Sequence, residues 1–203
     1  MRLWLNRLSR LLCIVSLLTL TACSEPDYKW SLYDVSGHLP NLEFSLKGTG
    51  NKTVTQANLK NKTVLVFFGY ASCPDICPTT MAQLTEVMTK LGDDAQDVRI
   101  LFISVDPHRD TPDMLQAYVD AFNKNAVGLT GSEKEVAALA KRYRIAYQIE
   151  KPKPGDSAEI YDVTHSRGVF IFDRFGKARK SKNITINYSI KSINKIATNN
   201  EGF

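Results

Sequence analysis

The sequence predicts an α/β fold built on a central, partly parallel sheet. Apolar runs rich in β-branched and aromatic residues lie at 63–70, 98–105 and 168–172, and such runs are typical of strands covered on both faces. Segments with helical periodicity lie between these runs, and strands that alternate with helices indicate a layered α/β domain. A chain of 203 residues with 43% hydrophobic content buries one full core, so we expect a single domain.

The first predicted helix follows a sharp turn at 71–74. Its apolar positions share one helical face, and they are Met81, Leu84, Met88 and Leu91. Pro74 suits the first position of this helix, because the N–H group that proline lacks would have no helical partner there.

Capping residues mark the start of two further helices. Thr111 and Pro112 provide an N-cap and a first-turn proline ahead of an amphipathic stretch. Ser132 and Glu135 form a capping-box pattern before the next periodic segment. A turn is expected after the third strand, and isoleucines spaced along 186–196 permit a C-terminal helix.

A small hairpin is predicted ahead of the first buried strand. Apolar and polar side chains alternate at 42–46 and, more weakly, at 53–55. We therefore expect an N-terminal β-hairpin extension to the α/β domain.

The N-terminus is typical of an export signal. Arg2, Arg7 and Arg10 precede an apolar stretch at 11–20, which is too short to span a bilayer comfortably. The run at 20–23, LTAC, resembles a bacterial lipoprotein processing site. The alternatives are an uncleaved anchor or an ordinary signal peptide with a chance cysteine.

Cleavage at the lipoprotein site would leave a lipidated Cys23 as the first mature residue. We then expect a signal peptide at 1–22, a polar, turn-rich linker at 23–40 and a globular domain at 41–203. The domain would be tethered to a membrane through its lipid, on the periplasmic side of a bacterial cell envelope.

The net charge gives no support to nucleic-acid binding. The formal charge of +5 includes three arginines of the predicted signal, and without them 23 basic residues face 21 acidic ones, a net charge of +2. Domains that bind nucleic acid are strongly basic and cluster their charge. We therefore expect no nucleic-acid partner.

Two of the four cysteines remain once Cys13 leaves with the signal and Cys23 carries the lipid. Cys73 and Cys77 lie four positions apart, and such a pair in an oxidising compartment is a structural disulfide, a redox couple or a metal site. On a helix this spacing places both sulfurs on one face, and a helix N-terminus lowers the pKa of a thiol. Two thiolates suit a soft ion such as Cu(I), although sulfur alone does not distinguish copper from zinc.

Three histidines are candidates for a third ligand. His38 lies in the predicted linker and His108 in a polar loop, and both are expected to be solvated, although the His108 loop follows a strand end and can line the rim of a site. His165 precedes the strand at 168–172, which is expected near the cysteine-bearing strand. Since 88 residues separate it from Cys77, the residues alone favour an unrelated surface histidine.

Polar side chains also follow the second strand, at Asp106, Arg109 and Asp110. Carboxylates near a strand end can act as acid and base, but the adjacent turn and the Thr111 cap explain them as loop and helix-start residues. A structural or partner-docking role is favoured. Tyr70, beside the cysteines, is either a shield for a bound ion or a core aromatic.

A set of short motifs occurs along the chain in a specific order. They are FGY at 68–70, CPDICP at 73–78, SVDP at 104–107, RDT at 109–111, GLTG at 128–131 and, finally, Val163, His165 and Ser166. Together they resemble the Sco/SenC family of copper-binding proteins involved in assembling cytochrome c oxidase. The resemblance covers about residues 59–180.

The resemblance implies a thioredoxin-like fold, with a central mixed sheet flanked by helices and a hairpin insertion at 147–161 before the metal-binding histidine. It implies copper, as Cu(I), Cu(II) or both, bound by Cys73, Cys77 and His165. Many family members have an aspartate just before that histidine, where this chain has Thr164. Asp162 is the nearest acid, and it either orients the imidazole or only ends a strand.

The implied function is that of a copper metallochaperone. Its recipient would be the copper-site subunit of cytochrome c oxidase or another copper-site protein, with an upstream copper donor and a thiol reductant as further partners.

Two other functions stay open. One is an extracytoplasmic thiol-disulfide oxidoreductase that reduces a copper-site protein, with Cys73 and Cys77 as its catalytic residues. Redox proteins of this fold commonly have two residues between the cysteines and a proline before the facing strand, but this chain has three residues and no proline at 164–167. These departures favour a metal site without excluding electron transfer, because copper binding requires reduced cysteines. The other is a peroxidase with a low-pKa cysteine.

Overall fold

The computed structural model of the chain describes residues 33–183, except 153, 156, 158 and 159. The predicted signal peptide at 1–22, the predicted lipidation site Cys23, the first part of the predicted linker and the predicted C-terminal helix at 186–196 lie outside the described residues. Within the part of the chain that is described, no helix is long and apolar enough to cross a membrane.

A six-stranded sheet forms the centre of the described structure. The strands in chain order are β1 (Tyr33–Asp34), β2 (Ser45–Gly48), β3 (Lys52–Thr55), β4 (Thr63–Gly69), β5 (Val98–Ser104), β6 (Ala126–Leu129), β7 (Tyr147–Ile149), β8 (Val163–His165), β9 (Gly168–Phe172) and β10 (Ala178–Asn183). The central sheet has the order β1-β10-β9-β4-β5-β6. Strands β4, β5 and β6 are parallel, whereas β9 runs antiparallel to β4, so the sheet is mixed as predicted.

The three predicted buried strands are confirmed as β4, β5 and β9. Every residue of β4 is buried, and β5 and β9 each have one half-buried residue. Their continuous apolar sequences are explained by this burial, because neither face of these strands meets water. The short strand β6, by contrast, was not predicted as a strand; its four residues carry too little pattern.

Among the described residues, three α-helices flank the sheet: α1 (Ile76–Leu91), α2 (Pro112–Asp120) and α3 (Glu133–Arg142). The predicted caps are confirmed. The Thr111 hydroxyl accepts from the Met114 N–H at the start of α2. At α3 the Ser132 hydroxyl accepts from the Glu135 N–H, and the Glu135 carboxylate accepts from the Ser132 N–H.

The start of α1 differs from the prediction, since Pro74 lies outside the helix. Asp75 occupies the N-cap position, and the first helical bond runs from the Thr79 N–H to its carbonyl. Upstream, the Cys73 N–H closes a turn onto the Tyr70 carbonyl. The proline in the first turn is therefore Pro78, where the missing N–H has no helical partner.

The predicted N-terminal hairpin is confirmed as the antiparallel pair β2–β3. Leu42, Phe44 and Leu46 are buried while the residues between them are exposed, which explains the alternation in the sequence. The connecting turn places Gly50 and Asn51 at positive φ, a conformation that glycine and asparagine tolerate best.

The described end of the predicted linker belongs to the folded domain. Strand β1 pairs with β10, and the Val35 N–H donates to the Arg179 carbonyl. Val35 and Leu39 also pack against the core. Although 23–40 is polar and rich in turn residues, its few apolar residues attach the described end of this segment to the domain.

The register of the sheet brings three separate segments to one place. Gly69 and Ser104 are register partners at the carboxyl ends of β4 and β5, so the loops that follow them are neighbours. Because β9 runs antiparallel to β4, its amino end, just after His165, lies at the same edge. The edge that carries Cys73 thus also receives the histidine.

Candidate metal centre

Cys73 and Cys77 lie just beyond the carboxyl end of β4. Cys77 is in the first turn of α1, but Cys73 lies in the preceding loop, so the prediction that both project from one helical face is wrong. The turn between Tyr70 and Cys73 folds the loop back over the helix start. Both cysteines are free thiols, with Cys73 half-buried and Cys77 buried.

His165 reaches the cysteines from β8, which forms a hairpin with β7. Tyr147 and His165 are register partners in this hairpin, so the predicted insertion at 147–161 extends as far as the histidine itself. The Cys73 and Cys77 sulfurs and a His165 ring nitrogen all lie within 4.8 Å of one another. The structure therefore brings His165 next to the two cysteines, although the residues alone favoured an unrelated surface histidine.

The tautomer of His165 follows from its hydrogen bond. Nδ1 lies 2.9 Å from the Ser166 carbonyl oxygen, which can only accept, so Nδ1 carries the proton. The lone pair of Nε2 then faces the Cys77 sulfur, 3.4 Å away. The backbone of Ser166, rather than the exposed side chain of Asp162, orients the imidazole.

The imidazole is held in its neutral form. Burial lowers the pKa of His165 below its ordinary value, with Arg167 acting in the same direction and the Ser166 carbonyl opposing it. A neutral imidazole with a free Nε2 lone pair is the form that binds a metal ion.

The two thiols have opposite pKa shifts. Burial acts to raise the pKa of Cys73, but the backbone N–H groups of Asp75 and Cys77 favour its thiolate, and the pKa lies below the ordinary value. The pKa of Cys77 is raised, chiefly by burial and further by the nearby Cys73. The expectation that the helix N-terminus lowers the pKa of both is therefore wrong for Cys77, whose side chain is sealed from water.

Aromatic side chains wall the three donors. The rings of Phe67 and Tyr70 stand edge-on to the His165 imidazole, with centroids 5.9 and 5.8 Å away. Burial, reinforced by the charge of Cys73, raises the pKa of Tyr70 to about 12, so its hydroxyl stays protonated. Tyr70 is thus both a buried aromatic and a wall of the site.

Gly69 allows the Cys77 sulfur to approach the end of β4. A Cβ atom at this position would lie 2.8 Å from that sulfur and 3.0 Å from the Phe102 ring. The glycine is required by packing, since its backbone conformation is ordinary.

A family model described as SCO1/SenC matches residues 37–198, which is most of the chain. The chain belongs to the SCO1/SenC family. Among curated proteins it is similar to the mitochondrial protein SCO2 of Saccharomyces cerevisiae, with 37% identity over 135 residues. The match covers 66% of this chain and 44% of that relative, so the chain spans less than half of its length.

Solved structures of SCO1/SenC proteins share the fold. ScoI of Bradyrhizobium japonicum, solved with copper bound, is 34% identical with a TM-score of 0.68, covering 77% of this chain and 98% of that one. BsSco, a member of the Sco family of cytochrome c oxidase assembly proteins in which a disulfide switch was identified, is 25% identical with a TM-score of 0.56, covering 85% and 96%. These similarities confirm the predicted thioredoxin-like fold.

The acidic loop of this SCO1/SenC chain is a buried network. Asp110 is 1% exposed, and its carboxylate accepts from the Ser104 hydroxyl and from the Ala71 N–H, which joins the loops after β4 and β5. Burial raises the pKa of Asp110, while these two hydrogen bonds act in the opposite direction. Asp106 is fully buried and paired with Arg109, so both carboxylates have structural partners.

Sequence reasoning missed Tyr161, whose hydroxyl donates to Asp106. The signal in the sequence that could have identified Tyr161 is its position, four residues before the candidate ligand His165.

The other two histidines are not part of the metal centre. His38 is exposed and lies outside it, and His108 pairs with Glu133 at 2.7 Å. The exposed side chain of His108 borders, with Ser72, a cleft of about 830 Å³ beside the cysteine loop.

Proposed function

We propose that this SCO1/SenC chain is a copper metallochaperone that binds one copper ion through Cys73, Cys77 and His165. It delivers the ion to the copper site of cytochrome c oxidase during assembly. The observation that carries the proposal is the convergence of two sulfurs and one imidazole nitrogen within 4.8 Å. Each of the three comes from a different element of the fold: a loop, a helix and a hairpin.

The donor set suits copper. Thiolate sulfur selects soft ions, and an imidazole nitrogen is also acceptable to Cu(II), so two sulfurs with one nitrogen can serve both oxidation states. The burial of Cys77 and the ring contacts of Tyr70 restrict access of water to the ion. The copper-bound structure of the related ScoI supports this choice over zinc.

The unequal exposure of the donors suits transfer as well as binding. Cys73 is half-buried and has the lower pKa, so it is the thiolate that an incoming donor or acceptor protein meets first. Cys77 is buried and must lose its proton when the metal binds, which makes affinity dependent on pH. We infer that ligand exchange with a partner begins at Cys73.

We propose a location and partners on the support of the N-terminal pattern and the family. A signal peptide at 1–22 and a lipid on Cys23 would hold the domain on the periplasmic side of a bacterial cell envelope. The recipient is the copper-site subunit of the oxidase or another copper-site protein, and an upstream copper donor and a thiol reductant complete the sequence of transfers. Membership of the Sco family, which includes assembly proteins for cytochrome c oxidase, supports this assignment.

The test is a titration of the reduced, metal-free protein with Cu(I) and with Cu(II). We expect one tightly bound copper per chain, with sharply weaker binding in His165→Ala and loss of stoichiometric binding in Cys73→Ala. The exposed histidine variant His38→Ala is the matched control and should bind like the wild type. Unchanged copper content in the Cys73 and His165 variants would end the proposal.

A second candidate function is reduction of disulfides in a copper-site protein. The observation that favours it is the pairing of an accessible, low-pKa Cys73 with a buried, high-pKa Cys77. The Cys73 thiolate would attack a substrate disulfide and release one substrate thiolate. Cys77 would then attack the Cys73 sulfur, release the second, and leave a Cys73–Cys77 disulfide, so that two electrons pass to the substrate.

Two variants separate the functions. A thiol-disulfide oxidoreductase retains turnover in His165→Ala and loses it in Cys77→Ala, because Cys77 resolves the mixed disulfide and the imidazole is dispensable. A metallochaperone binds copper much more weakly in both variants. Turnover of a model disulfide, measured beside copper content in the same preparations, distinguishes them.

A further inference from the structure

The hairpin that carries His165 needs an external attachment. Strands β7 and β8 form a separate two-stranded sheet and share no ladder with the central sheet in the described residues. An isolated two-stranded hairpin is at best marginally stable in water. The cysteines are on a loop and helix continuous with buried β4, and the hairpin meets the sheet through buried Val163 and the short link from His165 to β9. The position of the imidazole relative to the sulfurs therefore depends on what ties the hairpin down.

Packing of Val163 and Tyr147 holds the hairpin to the core, and Arg109 adds a polar tie. The Arg109 guanidinium lies 3.8 Å from the centroid of the Tyr161 ring, and its Nη1 donates to the Tyr161 carbonyl oxygen at 3.0 Å. Tyr161 lies two residues before β8 and four before His165. Arg109 itself belongs to the loop after β5, so it connects the hairpin to the central sheet.

Asp106 locks both members of this pair. Its carboxylate accepts from Arg109 Nε at 2.5 Å and from the Tyr161 hydroxyl at 2.7 Å. The Asp106 side chain is fully buried and that of Arg109 is 18% exposed. A planar guanidinium that is stacked and hydrogen-bonded in this way has little freedom to move.

The same guanidinium also reaches the wall of the metal centre. It lies 5.6 Å from the centroid of the Tyr70 ring, and Tyr70 stands edge-on to the His165 imidazole at an interplanar angle of 89°. Arg109 thus contacts the hairpin on one side and the ring that packs on His165 on the other. Through Tyr161 and through Tyr70, Arg109 therefore supports the position of the His165 imidazole.

We propose that Arg109 and Tyr161 are positioning residues that hold the His165 hairpin against the cysteine loop and so preorganise the third donor of the metal centre. This inference rests on the proposed function, because it assigns a role in copper binding. Neither residue is one of the three donors. Groups that orient ligands in this way change metal affinity by about 10- to 100-fold when removed.

The test is a double-mutant cycle between Tyr161 and His165. We expect Tyr161→Leu to weaken copper binding by about tenfold or more, measured by competition with a chelator. In a His165→Ala background the same substitution should cause little further loss, because the donor that it positions is already absent. An equal loss in both backgrounds, or no loss in either, would overturn the proposal.

Two conservative variants guard against misfolding. Tyr161→Phe keeps the ring on Arg109 and loses the bond to Asp106, so its loss of affinity should be intermediate. Arg109→Lys keeps a charge beside Asp106 but lacks the planar stack, and it should resemble Tyr161→Leu. Tyr147→Phe is the matched control, since it removes a hydroxyl that has no hydrogen-bond partner among the described residues from the same hairpin.

Amide hydrogen exchange in the metal-free protein separates this proposal from the proposed function. In Tyr161→Leu we expect faster exchange at 163–165 and unchanged exchange in β4. If the wild type binds no copper, the metallochaperone assignment fails while this measurement still decides whether Tyr161 positions the hairpin. Unchanged exchange at 163–165 in Tyr161→Leu would overturn the positioning role.

Discussion

His165 Nε2 lies 3.4 Å from the sulfur of Cys77, although 88 residues separate the two in the chain. The contact exists because β9 runs antiparallel to β4, which returns the chain to the edge where the cysteines lie. A proton on Nδ1, bound to the Ser166 carbonyl, leaves the Nε2 lone pair for this contact. Sulfur and nitrogen are therefore in place before a metal ion arrives.

The two thiols should differ in reactivity. Cys73 has a lowered pKa and Cys77 a raised one, so at neutral pH iodoacetamide should modify Cys73 at least about tenfold faster, since each pKa unit changes the thiolate fraction about tenfold. The measurement is mass spectrometry of Cys73→Ser and Cys77→Ser proteins over a range of pH. Each variant retains one of the two site thiols, whose modification is followed on its own peptide and serves as control for the other. Equal rates in the folded proteins would contradict the assignment.

Substitution of Gly69 should disturb the metal centre through packing alone. In Gly69→Ala the new methyl group meets the Cys77 sulfur at 2.8 Å, and we expect a loss of about 1–3 kcal/mol in the free energy of unfolding together with weaker copper binding. Denaturant unfolding and chelator competition measure the two effects.

Gly92→Ala is the control for Gly69→Ala. Gly92 has a φ of +59° and no heavy atom within 4 Å of a Cβ there, so the variant strains only the backbone at the end of α1. That end lies roughly 22 Å along the helix from Cys77. Copper affinity should therefore be unchanged, and a loss equal to that of Gly69→Ala would argue against a steric effect at the sulfur.

The buried Asp110 should make stability depend on pH. Burial raises its pKa in the folded state, so the folded state binds its proton more tightly than the unfolded state does. The stabilisation is present at low pH and is lost as the pH rises from the unfolded pKa through the folded one. In Asp110→Asn the amide oxygen can still accept the hydrogen bonds from Ser104 and Ala71, and no buried charge forms as the pH rises.

We expect Asp110→Asn to gain stability relative to the wild type as the pH rises from acid to neutral. Denaturant unfolding at several pH values measures the difference. Asp113→Asn, in the exposed first turn of α2, provides the comparison at an exposed acid. A difference between Asp110→Asn and the wild type that is constant across pH would contradict the predicted direction.

The α3 cap should contribute to stability without contributing to metal binding. Ser132→Ala removes the hydroxyl that accepts from the Glu135 N–H, and it should lower the free energy of unfolding by about 1 kcal/mol. Copper affinity should stay at the wild-type value, because this cap touches none of the three donors. A matched loss of affinity would mean that α3 is coupled to the metal centre.

Local patterns in the sequence predicted the elements that have strong local causes. Continuous burial of β4 and β5 produces the apolar runs, and the Ser132–Glu135 cap is recognisable because both partners lie within one turn. The start of α1 was misplaced at Pro74, since a turn closed by Tyr70 and Cys73 precedes the helix. Strand β10 was missed because its polar residues carry no buried-strand pattern, and its pairing with β9 depends on tertiary neighbours.

By itself the sequence determined an α/β chain with a close pair of cysteines and predicted its export, and its motifs pointed to His165 only through a family resemblance. The tertiary structure decided the rest: which histidine meets the sulfurs, which thiol is sealed from water, and how Arg109 and Tyr161 tie the histidine hairpin to the sheet. The physical reason is the separation along the chain over which each property is decided. Periodicity and caps depend on neighbours within a turn or a strand, whereas burial, pKa and metal-ligand distance depend on segments that meet only when the sheet has formed.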